Sequence, residues 1–211
     1  MVQEFEKKKS QRYTDNPHQY GSFKERGFDH HLNTRVTAVD PRNKTVTTCS
    51  GDLISYDLLV LATGSDAVLP TRTPGYDAKG IFVYRTIDDL ERLIDFAAKH
   101  KGETAVTVGG GLLGLEAAKA MTDLEDFGNV KLIDRNDWVL ARQLDGDAGS
   151  LVSRKIHDLG LEVLHQKRVA AVTTDADNNV TGMIFEDGQH IECCCICFAV
   201  SIESMKVGLF C

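Results

Sequence analysis

The 211-residue chain is poor in the features that would send it to a membrane or onto a nucleic acid. No run approaches the roughly 20 apolar residues that a membrane-spanning helix needs. The opening MVQEFEKKKS has acids where a secretory leader has an apolar core, so the chain reads as soluble, intracellular and cytoplasmic. Positive charge is also short. A formal net charge of -7 argues against nucleic acid as a main partner, because phosphate binding needs a basic surface. The one basic cluster, Lys7-Lys8-Lys9 with Arg12, reads as a solvated terminal face. Prolines are few, and 42% hydrophobic with 26% charged residues is an ordinary globular composition. The length allows one large domain or two small ones around a real core.

Spaced cysteine pairs are missing as well. Four of the six cysteines crowd into ECCCICFAV, residues 192–200, which reads as a strand. Zinc and iron–sulfur sites draw ligands from separated loops, and no second cluster exists. On a strand, Cys193, Cys195 and Cys197 would share one face while Cys194 points to the other; all are expected as buried thiols. The seven histidines are scattered, and the His30-His31 pair lacks a companion acid or cysteine at ligand spacing. No metal site is assigned.

What is present is a regular alternation of strands and helices. Residues 1–30 are polar and without a clean period. RVTAVD and KTVTTC, separated by the turn PRN, predict a hairpin, and Ser50-Gly51-Asp52 predicts the next turn. DLLVLATG, residues 57–64, is a nearly continuous apolar run closed by glycine, the pattern of a fully buried strand. After a connector rich in proline and glycine, RTIDDLERLIDFAAKH predicts a helix capped by Thr86. Asp88 and Asp89 fall in its first turn, and Leu90, Leu93, Ile94 and Ala97 recur at helical spacing. ETAVTVGG, LLGLEAAKAM and NVKLIDR predict strand, helix and strand, and DGDAGSLVSRKIHDLG a helix closed by Gly160. LEVLH, RVAAVTTD, VTGMIFED and HIECCCICFAV predict four further strands, the middle two joined by the turn ADNN. The layout is α/β, with a parallel sheet plus a β-hairpin.

The chemistry concentrates in VTVGGGLLGLEAAKA, residues 106–120. Gly109, Gly111 and Gly114 form G-x-G-x-x-G between a predicted strand and a predicted helix, and the following strand ends in Asp134, 25 residues beyond Gly109. Gly109 permits the tight turn, Gly111 lets backbone approach a pyrophosphate, and Gly114 lets the helix pack close to the strand. The first-turn amides and helix dipole would face the anion, and Asp134 would hydrogen-bond the adenosine ribose. Gly110, Leu112 and Leu113 lie in the same loop and join the cofactor-binding candidates. Asp134 favours NAD, whereas Arg135 and Arg142 are either holders of a 2′-phosphate or plain surface arginines. A second stretch, LLVLATGS, puts Ala62-Thr63-Gly64 at the carboxyl end of the predicted buried strand, where α/β sheets bind ligands; an ordinary turn there is equally compatible.

YDLLVLATGS followed by VGGGLLGLEAA resembles the pyridine nucleotide–disulfide oxidoreductases, flavoproteins with two dinucleotide domains. The finer wording, in GSFKERGFDHHLNTRVTAVDPRNKTVTT, RTIDDLERLIDFA and LIDRNDWVLARQLDGDAG, resembles the flavin domain of that family's fungal assimilatory NAD(P)H nitrite reductase branch. The resemblance runs over roughly residues 20–200. It implies a Rossmann-like NAD(P)-binding domain preceded by part of an FAD-binding domain. By resemblance Ala62, Thr63 and Gly64 lie along FAD, and Arg35 and Val36 near its adenine. Gly109, Gly111 and Gly114 cradle the NAD(P)H pyrophosphate, Asp134 and Arg135 face its ribose, and Glu116 lies near the nicotinamide as the catalytic candidate. Relatives with NADP preference carry arginines at the positions of Arg135 and Arg142, so the mixture suits either cofactor.

Departures from the pattern shape the expectation. Nothing before residue 106 supplies the family's FAD loop, and the closing A-x-G-x-R-P is replaced by AVSIESMKVGLFC, with Ser201 in place of glycine. The redox C-x₄-C is absent, as are the siroheme and iron–sulfur modules. The expected organisation is a partial FAD-binding domain at 1–77, an NAD(P)-binding domain at 78–200 and an atypical tail at 201–211, a piece truncated at both ends. The expected function is hydride transfer from NAD(P)H to FAD, feeding nitrite reduction to ammonia in the full-length family. The alternatives are a non-catalytic NAD(P)-binding fragment and a flavin-dependent ferredoxin, rubredoxin or oxygen reductase. The electron-acceptor module is expected outside this chain, and if the missing FAD strands leave sheet edges and apolar faces open, a poorly soluble product or a homo-oligomer is expected.

Overall fold

In the computed structural model, residues 29–199 and 202–204 are described. The basic cluster at Lys7–Lys9 with Arg12, and tail residues 205–211, lie outside them. The chain divides into two units, Met1–Ser65 with Ser204–Cys211, and Asp66–Glu203. Among the described residues no helix is long and apolar enough to cross a membrane.

In the first unit, β1 (Val36–Asp40), β2 (Thr45–Thr48) and β3 (Leu53–Ser55) form an antiparallel sheet in that order. The hairpin turn is made by Asp40. Its carboxylate accepts the backbone N–H groups of Arg42 (2.9 Å) and Asn43 (3.0 Å) and the Asn43 amide Nδ2 (2.6 Å). These bonds, those from Asn43 foremost, hold the Asp40 carboxyl below its usual range. Val39 and Val46 are buried, with Val36, Ile54, Tyr56 and Leu59 packed on them.

Residues 57–64 correct the sequence expectation, since the run forms no strand and is not buried. Leu59 turns in toward Val39 and Val46, while Leu58 is 84% exposed and Val60 76%. A buried parallel strand needs a hydrogen-bonded neighbour on each side. Here β3 ends its pairing with β2 at Ser55, and no described strand of this unit pairs with 57–64.

The second unit is built on a five-stranded, wholly parallel sheet. Its strands are β5 (Ile81–Val83), β6 (Thr104–Val108), β7 (Asn129–Ile133), β8 (Glu162–Leu164) and β12 (Cys195–Phe198). The order is β5-β12-β6-β7-β8, so the last strand inserts between the first two. Helices α1 (Ile87–Ala97), α2 (Leu112–Asp123) and α3 (Gly146–Asp158) make the crossovers. β9 (Val169–Thr174), β10 (Val180–Phe185) and β11 (His190–Glu192) form a separate antiparallel sheet. β4 (Ser65–Ala67) and β13 (Ile202–Ser204) form a two-stranded ribbon.

Alternation along the parallel strands divides the core in two. Ala105, Val130, Leu132, Cys195 and Cys197 meet Leu93 and Ala97 of α1 and Ala117, Ala118 and Met121 of α2. Val106, Val108, Ile133, Ile196 and Phe198 point the other way, onto Val172, Val180, Met183 and Phe185 of the antiparallel sheet. Both faces are therefore covered, which is why these strands read as continuous apolar runs.

The cysteine stretch also departs from expectation. HIECCCICFAV is not one strand but two, β11 in the antiparallel sheet and β12 in the parallel one. The break falls at Cys193-Cys194, so strict alternation fails there. Cys194 joins Cys195 and Cys197 on the helix side, and Cys193 faces the other core. All four thiols are buried. Burial pushes Cys193, Cys194 and Cys197 up to about 12, and Cys195 well above its ordinary value.

Candidate functional site

The glycine loop runs from the end of β6 into α2. Gly109 has φ +120°, a conformation that L residues rarely adopt, and its N–H donates to the Ile133 carbonyl at 2.8 Å. A side chain at Gly114 would place its Cβ 1.6 Å from the Gly109 carbonyl oxygen, so α2 lies directly on the turn. A Cβ at Gly110 would stand 1.9 Å from Asp134 Oδ2. Gly111 is the N-cap of α2, without a side-chain capping bond, and a Cβ there meets no protein atom within 4 Å. The first turn of α2 carries no acid. The leading amides and positive end of the helix thus face open space, the condition for holding an anion.

Asp134 follows the end of β7. It is 5% exposed, its N–H donates to the Leu164 carbonyl at 2.9 Å, and its carbonyl accepts from Lys167 N–H at 2.9 Å. Oδ1 accepts from the backbone N–H (3.1 Å) and side-chain Nδ2 (2.9 Å) of Asn136, which fixes the carboxylate beside the glycine loop. The loop is pinned from the far side as well, where Leu140 N–H donates to the Gly110 carbonyl at 2.8 Å.

A cavity of about 790 Å³ opens over these groups, within the range of about 300–1,000 Å³ typical of small-molecule sites. Gly109, Gly110, Gly111, Leu112, Leu113, Asp134, Arg135 and Arg142 line it; Gly114 stands behind the loop. Lys167 and Arg168 also line it, and sequence reasoning missed both. The signal for them was positional. They follow β8 just as Gly109 follows β6 and Asp134 follows β7, and ligands of parallel sheets gather at the carboxyl ends of the strands. Lys167 pairs with Asp187 and donates to Gln189 Oε1 at 2.8 Å, while Arg135 and Arg142 are exposed. The open helix end, the buried acid and the cationic rim fit a dinucleotide.

The other candidates lie elsewhere. Glu116 is exposed on α2 and does not line this cavity. Its charge acts on Tyr84 beside the end of β5, whose phenol is raised first by burial and then by Glu116 and Cys197. Arg35 is exposed and Val36 half-buried at the start of β1; Ala62, Thr63 and Gly64 are exposed and outside any strand. These five residues lie in the first unit, outside the residues that line this cavity.

A model of the pyridine nucleotide-disulphide oxidoreductase family matches residues 2–207. Nitrite reductase [NAD(P)H] of Emericella nidulans is 75% identical over 200 residues, covering 94% of this chain and 18% of that protein. The Neurospora crassa protein of the same name is 53% identical over 161 residues, covering 72% of this chain and 14% of its own length. The chain thus spans less than a fifth of either curated relative. Among solved structures, a NAD-dependent persulfide reductase from A. fulgidus matches with a TM-score of 0.75 at 28% identity, over 86% of this chain and 33% of that one.

Proposed function

Because the chain belongs to the pyridine nucleotide-disulphide oxidoreductase family, a family whose cofactors are FAD and NAD(P)H, we propose that its second unit binds NAD(P)H across Gly109–Gly114 as the nicotinamide-oxidising segment of a nitrite reductase. The observation carrying this reading is the open, acid-free start of α2 beside a fixed Asp134. The amides of the α2 start bind the pyrophosphate, and Gly114 keeps the helix close enough for them to converge. Asp134 accepts from the adenosine ribose, and Arg135 and Arg142 are placed to meet a 2′-phosphate, so both NADH and NADPH are accommodated. The bound nicotinamide supplies a hydride; the chain's own share is to hold and orient it. By likeness to the family, Glu116 is the residue expected near the nicotinamide, although it lies outside the cavity that holds the adenosine half.

The finer parts of the reading rest on likeness to the nitrite reductases. They are acceptance of the hydride by FAD, siroheme and iron–sulfur centres outside this chain, a cytoplasmic home, and the partition at residues 77 and 200. A second reading, a dinucleotide-binding piece without catalysis, is favoured by the exposure of residues 57–64.

Titration with NADH and NADPH, followed by nicotinamide fluorescence, tests the proposal. Saturable binding of both is expected. Asp134→Ala removes an ionic hydrogen-bond acceptor worth about 1.5–3 kcal/mol, so NADH affinity should fall by roughly 10- to 100-fold, with NADPH affected less. No saturable binding by the wild-type chain overturns the reading. Electron transfer to an artificial acceptor, with FAD added, separates the two readings: robust activity removes the second.

A further inference from the structure

We propose that the turn after α1 and Cys194, the residue before β12, form a divalent metal site, in which His100 Nδ1, Glu103 Oε1 and Cys194 Sγ supply three ligands and water the fourth. The three ligand atoms all lie within 4.8 Å of one another. Zinc bonds of about 2.0–2.3 Å in a tetrahedron place ligand atoms roughly 3.3–3.6 Å apart, so closing on an ion asks for shifts of about 1 Å. His100 Nδ1 and Glu103 Oε1 are already 3.0 Å apart.

The positions are set by backbone and packing. Glu103 N–H donates to the His100 carbonyl at 3.3 Å, and His100 N–H to the Ala97 carbonyl at 3.0 Å, so the turn presents both side chains together. The His100 ring stacks on Phe96 with centroids 3.9 Å apart and 15° between planes, and Phe96 meets Phe82 edge-on at 5.1 Å. Cys194 N–H donates to the Thr104 carbonyl at 3.0 Å, which ties β12 to the residue after Glu103. Of the two lysines that flank His100, Lys101 is engaged with Asp126 at 3.1 Å.

One thiolate, one imidazole and one carboxylate make a mixed donor set that suits Zn²⁺, with Glu103 on the solvent side leaving a position for water. Without metal, burial and then the Glu103 carboxylate keep the Cys194 thiol protonated; binding releases that proton to solvent. The site lies at the amino-terminal ends of β6 and β12, whereas the dinucleotide cavity lies at carboxyl ends. It therefore stands independently of the nucleotide reading. Ninety residues separate Cys194 from Thr104, the residue after Glu103, so no local spacing announces it.

Cobalt(II) provides the spectroscopic test on the whole chain, with Cys49→Ser as the control for the thiol exposed among the described residues. One equivalent should give intense tetrahedral bands with a thiolate-to-cobalt charge-transfer band, and Zn²⁺ should displace it. Cys194→Ser should abolish the charge-transfer band while Cys49→Ser keeps it. His100→Ala should weaken cobalt binding at least 10-fold, while the lost stacking on Phe96 lowers the metal-free melting temperature by a few degrees at most. A charge-transfer band that survives Cys194→Ser, or its absence from the wild-type chain, overturns the proposal and leaves the three groups a hydrogen-bonded cluster only.

Discussion

Gly111 and Gly114 occupy the same loop under opposite constraints, and the contrast gives a test at the scale of single methyl groups. At Gly114 a Cβ would stand 1.6 Å from backbone oxygen, which no side-chain movement relieves. Gly114→Ala must therefore displace α2 or the turn, and overpacking of this kind costs about 1–3 kcal/mol. At Gly111 φ is -83° and no protein atom lies within 4 Å, so alanine fits the fold. Its methyl instead enters the space in front of the helix amides. Gly111→Ala is expected to keep the melting temperature within a few degrees and to weaken NADH binding roughly 10-fold or more. Gly114→Ala is expected to lower both. Thermal scans paired with NADH titration distinguish them, and equal binding by wild type and Gly111→Ala would remove the pyrophosphate from this loop. Backbone sterics of this kind leave a sequence trace, which is why the loop and Asp134 were legible as candidates. Lys167 and Arg168 left only a positional trace, because their role depends on where β8 ends.

At the scale of elements, α1 shows how a helix start is written into sequence. Thr86 Oγ1 accepts from Asp89 N–H at 3.2 Å, and Asp89 Oδ2 accepts from Thr86 N–H at 2.8 Å, a complete capping box. Arg92 pairs with the same carboxylate. Burial alone would raise the Asp89 carboxyl, yet the bonds from Thr86 and Arg92 outweigh it and hold the group below its usual range. A depressed folded value means the stabilisation is present above the unfolded value, about 3.9, and is lost as pH falls through the folded one. Asp89→Asn should therefore melt below wild type at neutral pH, with the gap closing as pH drops below about 4. A gap independent of pH would show that the charge of Asp89 contributes nothing. Thr86→Ala should cost about 0.5–2 kcal/mol. The limits of legibility also belong to this scale. Residues 57–64 have the composition of the buried strands β6 and β7, but composition cannot report whether neighbours are there to pair. HIECCCICF contains no glycine or proline, so nothing local marks the switch from one sheet to the other at Cys193-Cys194.

For the molecule as a whole, the unpaired apolar stretch has a consequence in solution. Leu58 and Val60 are 84% and 76% exposed, and Leu53 and Leu61 are exposed as well. Full burial of one such side chain is worth about 1.5–3 kcal/mol. Two copies of the chain meeting through Leu58 and Val60 would gain roughly 6–12 kcal/mol in gross terms, against an association cost of about 4–15 kcal/mol. The balance predicts weak self-association, visible as elution that shifts with concentration in size-exclusion chromatography. Leu58→Lys combined with Val60→Lys should move the chain to the elution volume of a single copy and abolish the concentration dependence. The residues lining the dinucleotide cavity all belong to the second unit, so the same double variant should bind NADH as wild type does. Self-association unchanged in the double variant would place the contact elsewhere. Loss of NADH binding in the monomeric variant would show instead that the cavity depends on pairing between copies, a dependence for which no residue of the second unit gives cause.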